Sequence, residues 1–169
     1  MILYHGSNVE IESVALDKCR PFRDFGRGFY TTIIKGQAVN MAKRTVRIYG
    51  GNPIITSFYF DEKILKDKSF NVKIFDIPTN EWAVFVSNNR NNLFLDIKSI
   101  YSNSDNKYDV VYGPVANDDL ALIFRQYTDG ILTIEMLRES MKYKKLSNQI
   151  SFHTQKSVNL LKKIGVFNG

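Results

Sequence analysis

The chain has 169 residues, 24% of them charged and 44% hydrophobic, which is typical of one globular domain and excludes large-scale disorder. The single cysteine, Cys19, excludes an internal disulfide and favours a reducing, cytoplasmic setting. We expect no signal peptide and no membrane partner, since no apolar run is long enough to span a bilayer. The net charge of +6 is compatible with a nucleic-acid partner, and equally with a lysine-rich solvated surface.

The first part of the chain predicts three strands and one helix. Met1–His5 is expected to form a short buried strand that ends in a turn at Gly6. β-branched and aromatic residues predict strands over Phe29–Thr32 and Ile54–Phe60. Apolar side chains recur at helical spacing over Gly36–Tyr49, which predicts an amphipathic helix.

The second part predicts four helices and three strands. The helices are expected over Asn80–Arg90, Leu120–Tyr127, Ile134–Lys144 and Ser157–Ile164. The strands are expected over Phe70–Phe75, Tyr108–Tyr112 and Gln149–His153. Asp118 or Asp119 is the expected N-cap of the second of these helices and Thr133 that of the third. Because strands and helices lack regular βαβ spacing, we expect an α+β fold with largely antiparallel strands, in one domain over residues 1–169.

Two short motifs place a polar side chain beside glycine at the end of an apolar run. The first is the Tyr-His-Gly-Ser sequence of Tyr4–Ser7, and the second is the glycine-rich, aromatic run Asp24–Thr32. Glycine allows backbone groups to approach a ligand closely. Histidine adds a hydrogen-bonding ring and tyrosine a flat aromatic face, so the two motifs predict two walls of one small-molecule site.

Other common site chemistries are poorly supported. His5 and His153 are the only histidines, which argues against a metal site. Cys19 has no neighbouring histidine in the sequence to activate it as a nucleophile. The glycines at 26 and 28 form neither a dinucleotide fingerprint nor a P-loop. The remaining residue types favour a site that orients a reactive ligand and stabilises developing charge.

These motifs resemble those of a known enzyme superfamily. Tyr4–Ser7 resembles the His-Gly-Ser/Thr motif of poly(ADP-ribose) polymerases and diphtheria-toxin-like ADP-ribosyltransferases, and Gly26–Thr32 resembles their Gly-x-Gly-Ile/Phe-Tyr segment. Nearly the whole chain also resembles a family of small bacterial proteins of unknown function, of the DUF3990 type. The segments that carry this second resemblance are Leu3–Ser7, Asp24–Tyr30, Tyr112–Asp118 and Gln149–Thr154.

The superfamily resemblance implies a fold of split antiparallel β-sheets with flanking helices, and a site for NAD as co-substrate without a metal. It implies that His5 binds the adenosine-side ribose. It further implies that Gly6 and Ser7 hold the nicotinamide amide, and that Tyr30 stacks on the nicotinamide ring. An aromatic face suits such a flat cationic ring through apolar burial and cation–π attraction.

Two positions depart from the superfamily pattern. Gln149 stands where the relatives carry a glutamate that bonds the nicotinamide-side ribose and stabilises the transition state. A glutamine accepts a hydrogen bond but supplies neither negative charge nor a general base. Met41 stands near the position of a second stacking tyrosine. Gly28 is expected to approach the cofactor closely, and Arg20 is a candidate for its phosphates.

The resemblance therefore implies an NAD-dependent mono-ADP-ribosyltransferase that acts on a protein or nucleic-acid acceptor, with Gln149, His5 and Tyr30 as catalytic residues. The bacterial relatives suggest a toxin paired with a small antitoxin. One alternative is a module of the same fold that binds NAD, ADP-ribose or a partner protein without catalysis. A third interpretation is a basic RNA-binding protein. The enzyme would turn NAD over, the module would bind NAD without turnover, and the RNA-binding protein would bind RNA in a salt-sensitive way without binding NAD.

Overall fold

The computed structural model describes residues 1–96, 98–116, 123, 126, 127, 129–142 and 147–169. Seven strands are present in this part of the chain: β1 Ile2–Ser7, β2 Phe29–Thr32, β3 Ile54–Tyr59, β4 Val72–Ile74, β5 Val110–Pro114, β6 Asn148–Phe152 and β7 Lys162–Asn168. The helices are α1 Lys35–Tyr49, α2 Asn80–Arg90, α3 Ile134–Lys142 and α4 Gln155–Val158. Short 3₁₀ turns occupy Leu16–Lys18 and Glu62–Lys66.

The strands form one mixed sheet in the order β4-β5-β6-β2-β1-β3-β7. β4 and β5 run parallel, and every other neighbouring pair is antiparallel. With helices flanking this sheet, the expected α+β class and the largely antiparallel arrangement are confirmed.

The middle of the sheet is opened between β1 and β2. β1 pairs with β3 along its whole length, from Ile2 opposite Tyr59 to Ser7 opposite Ile54. With β2 it pairs at one position, Tyr4 opposite Thr32. The sheet is therefore continuous in strand order but almost divided at its centre, and the β2-facing edge of β1 is open beyond Tyr4.

Two apolar clusters fill opposite faces of the sheet, because successive side chains of a strand alternate in direction. Phe29 and Val110 belong to one cluster, whereas their neighbours Tyr30 and Val111 pack in the other. The second cluster includes Trp82, Phe85 and Val86 of α2. Thr79 caps this helix by accepting a hydrogen bond from the Trp82 backbone N–H at 3.2 Å.

Most of the predicted elements are confirmed within a few residues, and α2 has the predicted bounds Asn80–Arg90. The predicted N-cap Thr133 is also confirmed, since its hydroxyl accepts a hydrogen bond from the Met136 N–H at 3.3 Å. The helix predicted over Leu120–Tyr127, with its cap at Asp118 or Asp119, lies largely outside the described residues, as do the last residues of the helix predicted to reach Lys144.

Two predictions were wrong. The helix predicted over Ser157–Ile164 is the single-turn α4 followed by strand β7, because the segment after residue 161 pairs with the outer edge of β3. The turn predicted at Gly6 is part of β1, because Gly6 and Ser7 continue the pairing with β3. Among the helices of the described residues, none combines the length and the apolar character needed to cross a bilayer.

A candidate NAD cleft at the opening of the sheet

A cleft of about 1480 Å³ lies where β1 and β2 separate. It is bordered by both strands, by α1, by the segment before β2 and by the start of β6. All eight residues predicted for the site line it: His5, Gly6, Ser7, Arg20, Gly28, Tyr30, Met41 and Gln149. Positions separated by more than 140 residues in sequence are thus brought to one surface by strand pairing across β1, β2 and β6.

His5 has a hydrogen-bonding state set by the backbone. Its Nδ1 lies 2.7 Å from the carbonyl oxygen of Tyr30, and its ring stacks on Phe29 with centroids 4.4 Å apart. A carbonyl only accepts, so Nδ1 carries the proton. Burial lowers the pKa of His5, partly opposed by this hydrogen bond and assisted by Arg23. The neutral ring therefore leaves Nε2 as an acceptor, suited to a ribose hydroxyl.

Tyr30 offers its ring rather than its hydroxyl. The hydroxyl donates to the carbonyl of Gly26 at 2.7 Å and accepts from the N–H of Phe25 at 2.9 Å. Burial, reinforced by the charge of Asp24, raises the pKa of Tyr30 well above its ordinary value, so the phenol stays neutral. Both hydroxyl bonds end on the turn before β2, which fixes the aromatic ring at the cleft.

The two motif glycines are required by close packing. A Cβ on Gly6 would lie 1.9 Å from the carbonyl oxygen of Ala38, where α1 crosses β1. A Cβ on Gly28 would lie 2.5 Å from Nδ1 of His153. These contacts explain both glycines without a ligand, and they also bring α1 and the turn close to the cleft.

A buried network surrounds Gln149. Asp24 Oδ1 accepts from Nε and Nη2 of Arg90, the last residue of α2, at 2.8 and 2.5 Å. Asp24 Oδ2 accepts from the backbone N–H of Ala116 at 3.0 Å and from Nε2 of Gln149 at 2.8 Å. Arg90 Nη2 also donates to the carbonyl of Ala116 at 2.7 Å. Four segments of the chain therefore meet at one carboxylate, and its four acceptor positions are filled.

This network orients the Gln149 amide. An ionised carboxylate only accepts, so the Gln149 atom facing Asp24 is the NH₂ group. The amide oxygen Oε1 has no hydrogen-bond partner among the described residues and is not sealed from the cleft. Gln149 thereby presents an acceptor to the cleft, as a residue that holds a ribose hydroxyl must.

One protein family matches nearly all of the chain. The model of the family described as "Protein of unknown function (DUF3990)" matches residues 1–163. The chain belongs to the DUF3990 family. No curated protein and no solved structure matches it significantly. The expected family membership is confirmed, and the relationship of this DUF3990 chain to ADP-ribosyltransferases remains a hypothesis.

Three site residues of this DUF3990 protein were missed by sequence reasoning. Asp24 and Arg90 form the network beneath Gln149, and Arg23 places its guanidinium 5.7 Å from the centroid of the Tyr30 ring. Asp24 begins the Asp-Phe-Gly motif, which was a usable signal. Arg90 gave none, because it ends a helix 66 residues away in sequence.

The remaining predicted residues lie at the rim of the cleft. Arg20 is exposed and binds Tyr49 at the end of α1, donating to its hydroxyl and stacking 4.9 Å from its ring centroid. Met41 is exposed on α1, and Ser7 ends β1. Among the described residues, no group of three or more His, Cys, Asp or Glu side chains is arranged to hold a metal ion.

Proposed function

We propose that this protein is an NAD-dependent mono-ADP-ribosyltransferase of the cytoplasm, the toxin of a pair with a small antitoxin. The observation that carries the proposal is the convergence of His5, Tyr30 and Gln149 on one cleft at the opened centre of the sheet. The residues present fit NAD in hydrogen-bonding chemistry. His5 Nε2 and Gln149 Oε1 are acceptors without partners among the described residues, and riboses supply donors.

Each wall has a distinct role in this proposal. Tyr30 would provide an aromatic face for the nicotinamide ring, and the Arg23 guanidinium, 5.7 Å from the centre of the Tyr30 ring, supports a cation–π role for that face. Gly6 and Ser7 lie beyond Tyr4 in β1, where no residue of β2 is paired with the strand. In the proposal they hold the amide group of nicotinamide there. His5 and Gln149 orient the two riboses.

The transfer itself needs little acid–base chemistry from the protein. The bond between ribose C1′ and the nicotinamide nitrogen breaks, and its electron pair stays on that nitrogen. A nitrogen or oxygen of the acceptor forms the new bond to C1′ and releases its proton to water. Gln149 holds the ribose during this exchange, but its neutral amide stabilises developing positive charge less than a carboxylate does. We therefore expect slow turnover and no polymer elongation.

One observation favours a second candidate, a module that binds NAD or ADP-ribose without turnover. Asp24 is the nearest carboxylate to Gln149, and Arg90, Ala116 and Gln149 fill all its acceptor positions. Among the described residues lining the cleft, no other carboxylate is available to act as a base or to stabilise positive charge.

The deciding experiment incubates the purified protein with NAD labelled on the adenylate phosphate, together with bacterial lysate, and measures label transfer and free nicotinamide. The proposal predicts transfer by the wild type and its loss in Gln149→Ala and Tyr30→Ala. Gln155→Ala, which changes an exposed glutamine outside the cleft, should behave as the wild type. NAD binding without transfer or nicotinamide release would select the module instead.

A further inference from the structure

The cleft carries an excess of positive charge. Among the described residues its lining includes seven cationic side chains: Lys18, Arg20, Arg23, Lys43, Arg44, Arg47 and Arg90. Its one carboxylate in that part of the chain is Asp24, which is neutralised by Arg90. A cleft that is lined by positive charges and has low-dielectric walls focuses the electric field and attracts anions.

NAD alone does not account for this charge. Its diphosphate carries one negative charge per phosphate, and the cationic nicotinamide cancels part of that. The cleft volume of about 1480 Å³ also exceeds the range of roughly 300–1,000 Å³ usual for small-molecule sites. Charge and volume both leave room for a second, polyanionic ligand beside NAD.

The cations extend away from the NAD centre along α1. Gln37, near the start of the helix, accepts a hydrogen bond from Thr32, the residue opposite Gln149 on β2. Tyr49, the last residue of the helix, contacts Arg20. The helical rise places these ends about 18 Å apart. Lys43, Arg44 and Arg47 are exposed in the second half of the helix, so the positive strip begins about 9 Å along α1 from Gln37 and continues to its far end.

An exposed aromatic side chain stands in the same cleft. Phe22 is 54% exposed, and its backbone adopts φ of +56°, in the left-handed region that is unfavourable for a bulky residue. Neither burial nor a ring contact within the described residues compensates this strain. Phe22 lies between Arg20 and Arg23 in the sequence, and a solvent-facing ring in a cleft lined by cations is a platform on which unpaired bases stack.

We propose that this basic and aromatic strip binds a single-stranded nucleic acid, the acceptor of the ADP-ribosyl group. The proposal rests on the proposed function for the transfer, but not for the binding. Phosphates would contact Lys43 and Arg47, and a base would stack on Phe22. The combination of an exposed ring with several cations matches the alternating bases and phosphates of a nucleic-acid strand, whereas an acidic protein supplies carboxylates without a regular set of flat rings.

The test measures fluorescence polarisation of labelled 12-nucleotide RNA and DNA strands of one mixed sequence, titrated with the full chain without NAD. We expect binding whose affinity falls with salt, with a slope of log K against log salt of about −3 for roughly four contacted phosphates. Lys43→Glu combined with Arg47→Glu should weaken binding at least tenfold and flatten the slope. Phe22→Ala should weaken it about fivefold or more at any salt concentration.

The matched control is Lys66→Glu with Lys68→Glu, which makes the same charge change at exposed lysines outside the cleft. It should lose less than twofold in affinity, and circular dichroism verifies that each variant is folded. Equal loss in both double variants, equal binding of poly-glutamate, or no salt-dependent binding by the wild type would each overturn the proposal.

NAD binding, measured separately by calorimetry, keeps the two proposals apart. Strand binding without NAD binding would overturn the transferase and retain a nucleic-acid groove. NAD binding without strand binding would retain the NAD site and overturn the groove. The RNA and DNA arms show which strand is preferred.

Discussion

At the scale of single residues, the neutral amide at position 149 matches its surroundings. Asp24 lies 2.8 Å from the Gln149 amide nitrogen, so a carboxylate at position 149 would face another carboxylate inside the protein. Like charges that close strongly disfavour double ionisation. The glutamine converts a repulsion into a hydrogen bond and keeps an acceptor aimed at the cleft.

Gln149→Glu should therefore be destabilised in a pH-dependent way. In the folded protein, the nearby Asp24 should raise the pKa of the new carboxyl above its value in the unfolded chain. At low pH the new carboxyl is protonated and avoids the repulsion. As the pH rises the carboxyl ionises beside Asp24, and the folded state loses stability. Relative to wild type, the free energy of unfolding should be lower at pH 8 than at pH 5, by about 0.5 kcal/mol for a pKa raised by one unit and about 1.7 kcal/mol for a pKa raised by two units, because the unfolded glutamate is already largely ionised at pH 5. Urea titrations at both values measure this, with Gln155→Glu as the control.

A difference from wild type that is the same at pH 5 and pH 8 would contradict the predicted repulsion. It would mean that the new side chain turns away from Asp24, or that Arg90 alone neutralises both carboxylates.

Asp24→Asn tests whether Asp24 orients Gln149. The change abolishes the ion pair with Arg90 and should cost about 3 kcal/mol of stability, the low end for a buried pair, since Arg90 is partly exposed. It also allows the Gln149 amide to turn over, which should weaken NAD binding. Calorimetry on Asp24→Asn, Gln149→Ala and the double variant separates the two effects. The double variant should bind NAD as weakly as Gln149→Ala alone, whereas additive losses would contradict a role through Gln149.

At the scale of elements, the packing of α1 across β1 builds one side of the cleft. Gly6 allows this crossing, because a Cβ there would meet the Ala38 carbonyl at 1.9 Å. Gly6→Ala should cost about 3 kcal/mol of stability, the upper end of overpacking. Gly36→Ala changes a glycine of α1 that has open space around the new methyl, so it should leave stability unchanged or raise it by up to ~1 kcal/mol. Equal effects of the two changes in thermal unfolding would contradict this account.

The contact between the end of β6 and the turn before β2 depends on a neutral histidine, His153. His153 is buried, with Nδ1 2.7 Å from the carbonyl of Arg27 and Nε2 2.8 Å from the hydroxyl of Ser151. Burial lowers the pKa of His153 to about 4 from 6.5, although its hydrogen bond to Arg27 and the charge of Asp109 oppose this. The unfolded chain therefore binds a proton at a pH where the folded one does not.

Stability should consequently fall as pH decreases from 6.5 towards 4, by about 3 kcal/mol from His153. His153→Gln removes the titrating group, so its free energy of unfolding should fall less over that range. Urea unfolding at half-unit pH steps measures both curves. Parallel curves for the two proteins would contradict a neutral buried ring.

Sequence periodicity located most elements because their apolar patterns and caps are local. It failed for residues 162–168, where lysines and a glycine gave a weak pattern and pairing with β3 decided the structure. It failed at Gly6 for a similar reason. Glycine normally suggests a turn, but the close approach of α1 places it within a strand.

At the scale of the whole molecule, the sequence predicted the residues that line the cleft but not the network that holds them. His5, Tyr30 and Gln149 stood out through motifs, and strand pairing brings them together. The bond between Asp24 and Gln149 spans 125 residues of sequence, and that between Asp24 and Arg90 spans 66. Such contacts arise from the topology of the sheet and leave no local pattern.

The most direct test of the proposed NAD site is isothermal titration calorimetry of NAD into the wild type, Tyr30→Ala, Gln149→Ala and the control Gln155→Ala. The account predicts saturable one-to-one binding by the wild type and the control, and at least tenfold weaker binding by the two cleft variants while they remain folded. Absence of NAD binding by the folded wild type, or equal affinity in all four proteins, would contradict it.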